Sequence, residues 1–311
     1  MKILHTADWH LGHQLHGHER RFEHDAFLDW LTDTIKTRQI DALLVAGDLF
    51  DTANPPASAW QQLYRFLARL RAEMPRLNMV LIGGNHDSPS KLDAPHELLR
   101  AFDLHLVGSI SRDGEGKLET DRLLVPLQDR EGKVAAWCAA VPFLRSSDLR
   151  VEPLEEGQDR LIEGVRQIYQ DVLAQGRTRC EPGQALIAMG HAYLAAGQLS
   201  ELSERRVLGG NQHALPADIF ATADYTALGH LHLAQSPAEG VHYSGSPLPL
   251  SLAEANYNHQ VLEVTFEGGK LVGLERIPVP RAVEMIRLPQ GTLEEALNAI
   301  EALSLPECPQ E

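Results

Sequence analysis

Short apolar runs along this chain end repeatedly in polar clusters. Met1 to Thr6 leads into Asp8-Trp9-His10, Ala42 to Ala46 into Gly47-Asp48, and Met79 to Ile82 into Gly83-Gly84-Asn85-His86-Asp87. Later, Ala185 to Met189 leads into Gly190-His191, and Tyr225 to Leu228 into Gly229-His230-Leu231-His232. Runs of this kind predict β-strands. Between the first three, Phe22, Ala26, Phe27, Trp30, Leu31 and Ile35 recur at helical spacing, as do Trp60, Leu63, Tyr64, Leu67 and Leu70. The pattern is βαβαβ, with Pro55-Pro56 suited to the first turn of the second helix. A sheet built this way carries its sites at the carboxyl ends of its strands, where these clusters fall.

From Leu123 the pattern changes. Two apolar runs, Leu123 to Leu127 and Val134 to Val141, flank Arg130-Glu131-Gly132-Lys133 and predict a hairpin. A helix is expected over about Leu161 to Leu173, and strands return between Val241 and Ile277 around a Gly268-Gly269 turn. The whole predicts an α/β fold of two packed mixed β-sheets flanked by helices over residues 1–277. After Pro278-Val279-Pro280, the segment Val283 to Leu288 and a helix from Thr292 to Leu303 predict the start of a second domain over residues 281–311.

Composition narrows the class without deciding it. The chain of 311 residues is 43% hydrophobic and 23% charged, which excludes disordered and collagen-like classes. The N-terminus lacks a signal-peptide pattern, and the longest apolar stretch, Val134 to Leu144, is too short for a membrane span. Cys138, Cys180 and Cys308 are odd in number and unpatterned, as suits a reducing cytoplasm. A net charge of −15 argues against simple electrostatic capture of nucleic acid. If DNA is the substrate, bound cations or a basic partner must offset that charge.

The strand ends hold the donor set of a two-metal hydrolase: a carboxylate able to bridge, neutral imidazoles and an amide oxygen. Asp8 and His10 flank Trp9, so an extended segment would put both on one face. Asp48 follows a glycine and is the expected bridge. Asn85, His191, His230 and His232 complete seven expected metal ligands. Any one Asp-x-His or His-x-His is weak evidence, but their order and shared placement reinforce one another. His13, His16, His18, His24, His213, His242 and His259 are expected in structural roles. Arg20, Arg21, Arg205 and Arg206 are candidates for DNA phosphate contacts, with surface ion pairing the alternative.

Five stretches carry a more specific signal: His5-Thr6-Ala7-Asp8-Trp9-His10-Leu11-Gly12, Ala46-Gly47-Asp48-Leu49-Phe50-Asp51-Thr52, Gly84-Asn85-His86-Asp87-Ser88, Ala227-Leu228-Gly229-His230-Leu231-His232 and Gly245-Ser246-Pro247. Through them the chain resembles the calcineurin-like metallophosphoesterases, and among those the bacterial SbcD family of nuclease subunits. The resemblance implies two Mn²⁺ ions, one on Asp8, His10, Asp48 and His232, the other on Asp48, Asn85, His191 and His230. It implies His86 at the leaving oxygen, with Asp51 orienting its ring. It also implies exonuclease action on duplex DNA ends and endonuclease action on single strands or hairpins. The expected partner is an SbcC-type ATPase, in a heterotetramer built on a homodimer of this chain. No Gly-x-x-x-x-Gly-Lys-Ser/Thr loop occurs here, so ATP hydrolysis would belong to that partner. Family members continue through a DNA-capping domain, of which residues 281–311 would supply only the beginning. The competing reading is a phosphodiesterase or phosphatase for small substrates with the same metal centre. A non-catalytic scaffold would require lost ligands, and all seven are present.

Overall fold

A computed structural model describes residues 1–150, 159–195, 197, 214–288 and 291–303. The chain runs β1 (Lys2–Thr6), β2 (Gln14–Leu15), β3 (His18–Glu19), α1 (Arg21–Arg38), β4 (Ala42–Ala46), α2 (Ala57–Glu73) and β5 (Asn78–Ile82). There follow α3 (Pro89–Asp93), α4 (His96–Arg100), β6 (Leu104–Val107), β7 (Leu124–Gln128), β8 (Val134–Ala140), α5 (Arg160–Arg179), β9 (Ala185–His191) and β10 (Tyr225–Gly229). The last elements are β11 (Gln235–Ala238), β12 (Val241–Tyr243), β13 (Gln260–Glu267), β14 (Lys270–Pro278) and α6 (Leu293–Glu301).

Two six-stranded sheets result, ordered β14-β13-β1-β4-β5-β6 and β11-β12-β10-β9-β8-β7. Both are mixed. Strand β1 is parallel to β4 but antiparallel to β13, and β9 is parallel to β8 and β10 while β7 and β8 form the expected hairpin. Strand β4 shows why the first sheet is covered on both faces. Its period of two sends Ala42, Leu44 and Ala46 into the core shared with the second sheet, and Leu43 and Val45 into the core under α1 and α2. Helix α5 covers the outer face of the second sheet with Val165, Ile168, Val172 and Leu173. It extends beyond the predicted range at its C-terminal end because its amphipathic stripe continues to Gly176, which packs under Leu186.

One detail differs from expectation. Pro55-Pro56 precedes the second helix instead of forming its first turn: Pro56 is the extended N-cap and α2 starts at Ala57. Residues 281–288 form no regular element, and α6, capped by Thr292 and Glu295, buries none of its residues. No described helix is long and apolar enough to cross a membrane.

Candidate metal centre

The loops after β1, β4, β5, β9 and β10 converge at one end of the two-sheet core, and each brings part of the expected site. Asp8 and His10 do not lie on an extended segment. Their φ angles are 56° and 48°, and those of Asp48 and His230 are 47° and 99°. The left-handed backbone costs roughly 1–3 kcal/mol at such residues and collects at functional sites. It turns Asp8 and His10 toward the site while Trp9 between them is buried against Phe27 and Phe66. The β1 loop then rides on the β4 loop: Asp8 N donates to Gly47 O, His10 N to Asp48 O, and Leu11 N to Leu49 O.

Asp48 is central. Its Oδ2 stands 3.6 Å from His10 Nε2 and 3.4 Å from His191 Nε2, while its Oδ1 accepts from His86 N at 2.8 Å. Two glycines leave the room for this approach. A Cβ on Gly84 would overlap Asp48 Oδ1, and one on Gly229 would overlap Ala46 O.

The seven expected ligands fall into two groups around that carboxylate. Asp8, His10 and His232 bring ligand atoms within 4.8 Å of one another. On the other side, Asn85 Oδ1 lies 2.8 Å from His191 Nε2 and 3.0 Å from His230 Nδ1. Ligands roughly 2.1 Å from one ion and at right angles stand about 3 Å apart, so these separations fit a shared cation. His10 gives the sharper indication: its Nδ1 faces the Asp51 carboxylate at 3.4 Å, which leaves the buried Nε2 without a hydrogen-bond partner. A buried imidazole in that state is costly unless a cation takes its lone pair.

Electrostatics at His10 and His230 support the same use. Burial lowers His10 to about 4 and His230 to about 3, keeping both rings neutral, as ligation requires. Burial also pushes Asp8 up to about 6. Burial opposes the charged form of His191, but Asp48 and Asp8 outweigh it and raise the ring to about 9. The same pairing holds Asp48 well below the ordinary carboxylate range despite its burial. His191 Nδ1 donates to Ala46 O at 2.9 Å, which leaves Nε2 facing Asp48 and Asn85.

Two buried carboxylates complete the frame, and neither was expected from the sequence to have a role. Glu254 accepts from His232 Nδ1 at 2.9 Å and from Leu250 N at 2.8 Å. It fixes which His232 nitrogen is presented to the site. Asp87 accepts from Leu49 N, Phe50 N and Gly84 N, tying the β4 loop to the β5 loop, and burial pushes it up to about 6. Asp87 lies inside the Gly-Asn-His-Asp-Ser stretch, whereas Glu254 has no spacing signal at all.

The expected pairing of His86 with Asp51 takes another form. His86 Nδ1 donates to the Asp51 carbonyl oxygen at 2.7 Å, and the Asp51 carboxylate lies 3.4 Å from His10 Nδ1 instead. His86 is half-buried at the mouth of the site, with its ring 4.9 Å from that of His10. Arg20 is not available to a DNA phosphate. It is 3% exposed, pairs with Glu23 at 2.5 Å and donates to Pro249 O. Arg21 is exposed, 3.7 Å from Asp25. Arg205, Arg206, His213 and Cys308 lie outside the described residues. His24 donates to Trp9 O, His259 packs between Ser246 O and Glu254 O, and Cys138 is buried.

Comparison with known proteins identifies the family. Residues 1–234 match the calcineurin-like phosphoesterase family. The chain is 44% identical to SbcD, a subunit of the SbcCD nuclease, of Rhodobacter capsulatus, over 100% of this chain and 78% of that protein. It is 35% identical to the SbcD protein of Escherichia coli K12, covering 97% and 73% of the two chains. The Bacillus subtilis protein of the same name is also 35% identical, covering 87% and 67%. Among solved structures, a candidate 5′-nucleotidase from Staphylococcus aureus superposes with a TM-score of 0.51 at 12% identity, over 97% of this chain and 58% of that one, a likeness of fold alone. The chain belongs to the SbcD family of calcineurin-like phosphoesterases.

Proposed function

We propose that this chain cleaves DNA phosphodiesters with two Mn²⁺ ions, as the nuclease subunit of a complex with an SbcC-type ATPase, in cytoplasmic DNA repair and recombination. The position of Asp48 Oδ2, between His10 Nε2 and His191 Nε2, carries the reading. One ion would take Asp8, His10, Asp48 and His232, the other Asp48, Asn85, His191 and His230. When bound, such a pair lowers the pKa of coordinated water and neutralises charge on the phosphoryl oxygens.

The protein's own groups supply orientation and a proton. His86 uses Nδ1 to hold Asp51 O, so Nε2 is the nitrogen left to exchange a proton with the leaving oxygen. Asp51 positions two rings at once, His86 through its carbonyl and His10 through its carboxylate. Glu254 holds His232. Helix α6 and the residues before it would begin a DNA-capping domain.

A digestion time course with Mn²⁺ tests the reading on linear duplex DNA, single-stranded DNA and a small phosphodiester. Degradation of DNA that is lost in His86→Ala is the expected result. Rapid small-diester cleavage by the wild type with both DNAs intact, even after addition of the ATPase partner, would replace it with a small-substrate phosphodiesterase.

A further inference from the structure

Two adjoining cavities open where β11 and β12 of one sheet face β13 and β14 of the other. The first, of about 320 Å³, is lined by Gln235, Ser236, His242, Asn256, Asn258 and Arg276 among others. The second, of about 410 Å³, shares Tyr257, Asn258, Gln260 and Arg276 with it and adds Arg281. Among the described residues no Asp or Glu lines either cavity, although the chain carries 43 acidic residues against 28 basic ones. Two other cavities do not share this property: one includes Asp41 and Asp129, another Asp129, Glu181 and Glu267.

The lining chemistry suits a phosphate backbone with exposed bases. Arg276 is exposed and has no ion-pair partner among the described residues. Arg281 donates to Ala255 O and Tyr257 O, which fixes the turn carrying Asn256, Tyr257 and Asn258. Tyr257 is half-buried, with a ring face tilted 36° from that of His259. A guanidinium, side-chain amides and an aromatic face in an acid-free groove are the means by which proteins hold unpaired strands. The groove also adjoins the metal centre along the chain: Leu233, which follows His232, lines it, and Asn256 lies two residues after Glu254.

We propose that this groove binds an unpaired nucleic-acid strand beside the turn that follows His232. The proposal rests on the nuclease reading above. It accounts for how a chain of net charge −15 could hold DNA: a local stretch of surface without acidic side chains.

The test is the affinity of a fluorescent single strand of about 12 nucleotides for the full chain, by anisotropy at several salt concentrations, beside DNA degradation. Arg276→Glu should weaken binding about tenfold or more, and should flatten log Kd against log salt by about 0.7 for each phosphate no longer neutralised. Tyr257→Ala should weaken binding about fivefold or more with the salt slope retained. Arg69→Glu on α2 serves as the charge control, and thermal melting checks that each variant folds. Wild-type affinity and salt slope in Arg276→Glu, with DNA still degraded by the wild type, would overturn the groove and leave the nuclease reading standing. A wild type that cleaves a small diester but neither binds nor degrades the strand would overturn both.

Discussion

His232 Nδ1 and Glu254 Oε1 lie 2.9 Å apart, both buried, at the side of the metal centre farthest along the chain. The contact leaves His232 Nε2 as the ligand atom and strengthens it as a donor. Glu254→Gln keeps the shape but weakens that polarisation, and partners of this kind are worth roughly 10–100-fold in metal affinity or activity. Titration of the metal-free protein with Mn²⁺ should show that loss. Unchanged affinity would mean that Glu254 only braces the turn through Leu250 N.

His86→Gln should lower the rate on DNA by about 10²–10⁴-fold, the range for a positioned acid or base. A small diester with a good leaving group needs little protonation, so its rate should fall far less. Equal losses on both substrates would place His86 in metal or phosphate binding instead.

Gly229→Ala should destabilise the protein by about 1–3 kcal/mol or more, as overpacking does. The added methyl meets Ala46 O and the Ala7 and His191 side chains, with backbone on one side and the ligand loop on the other. Denaturant unfolding measures the loss. A variant as stable as the wild type would show that the β10 loop can withdraw from β4.

His5 makes stability depend on pH. Tyr225 OH donates to its Nδ1, and its Nε2 donates to Leu228 O, so the buried ring is satisfied when neutral. Burial lowers it from 6.5 to about 3. The unfolded chain therefore binds more protons between those values, and the native state loses stability as pH falls from about 6.5 toward about 3. The slope from this group approaches about 1.4 kcal/mol per pH unit. His5→Gln should flatten the fall in urea midpoint over that window. An unaltered slope would assign the acid sensitivity to other groups.

Much of this could be read in the sequence because strand ends and ligand types leave local marks. The Ala42-Leu43-Leu44-Val45-Ala46 run followed by Gly47-Asp48 announces both a buried strand and what it presents. The route by which Asp8 and His10 face one way was not legible, because a left-handed backbone at non-glycine residues is imposed by tertiary contacts with the β4 loop. Glu254 escaped for a similar reason: it meets His232 across 22 residues, through a turn whose geometry no spacing encodes. Arg20 looked like surface charge, yet Glu23 and Pro249 O draw it inside. The division of Asp51 between a carbonyl for His86 and a carboxylate for His10 depends on atoms of one residue, a scale below sequence pattern.

The most direct test of a two-ion centre bridged by Asp48 is metal content against activity in the wild type and Asp48→Asn. After loading with Mn²⁺ and removal of free metal, the wild type should hold two ions per chain and degrade DNA. Asp48→Asn should lose at least one ion and, with it, the activity. An Asp48→Asn protein that keeps both ions and the wild-type rate would contradict the account.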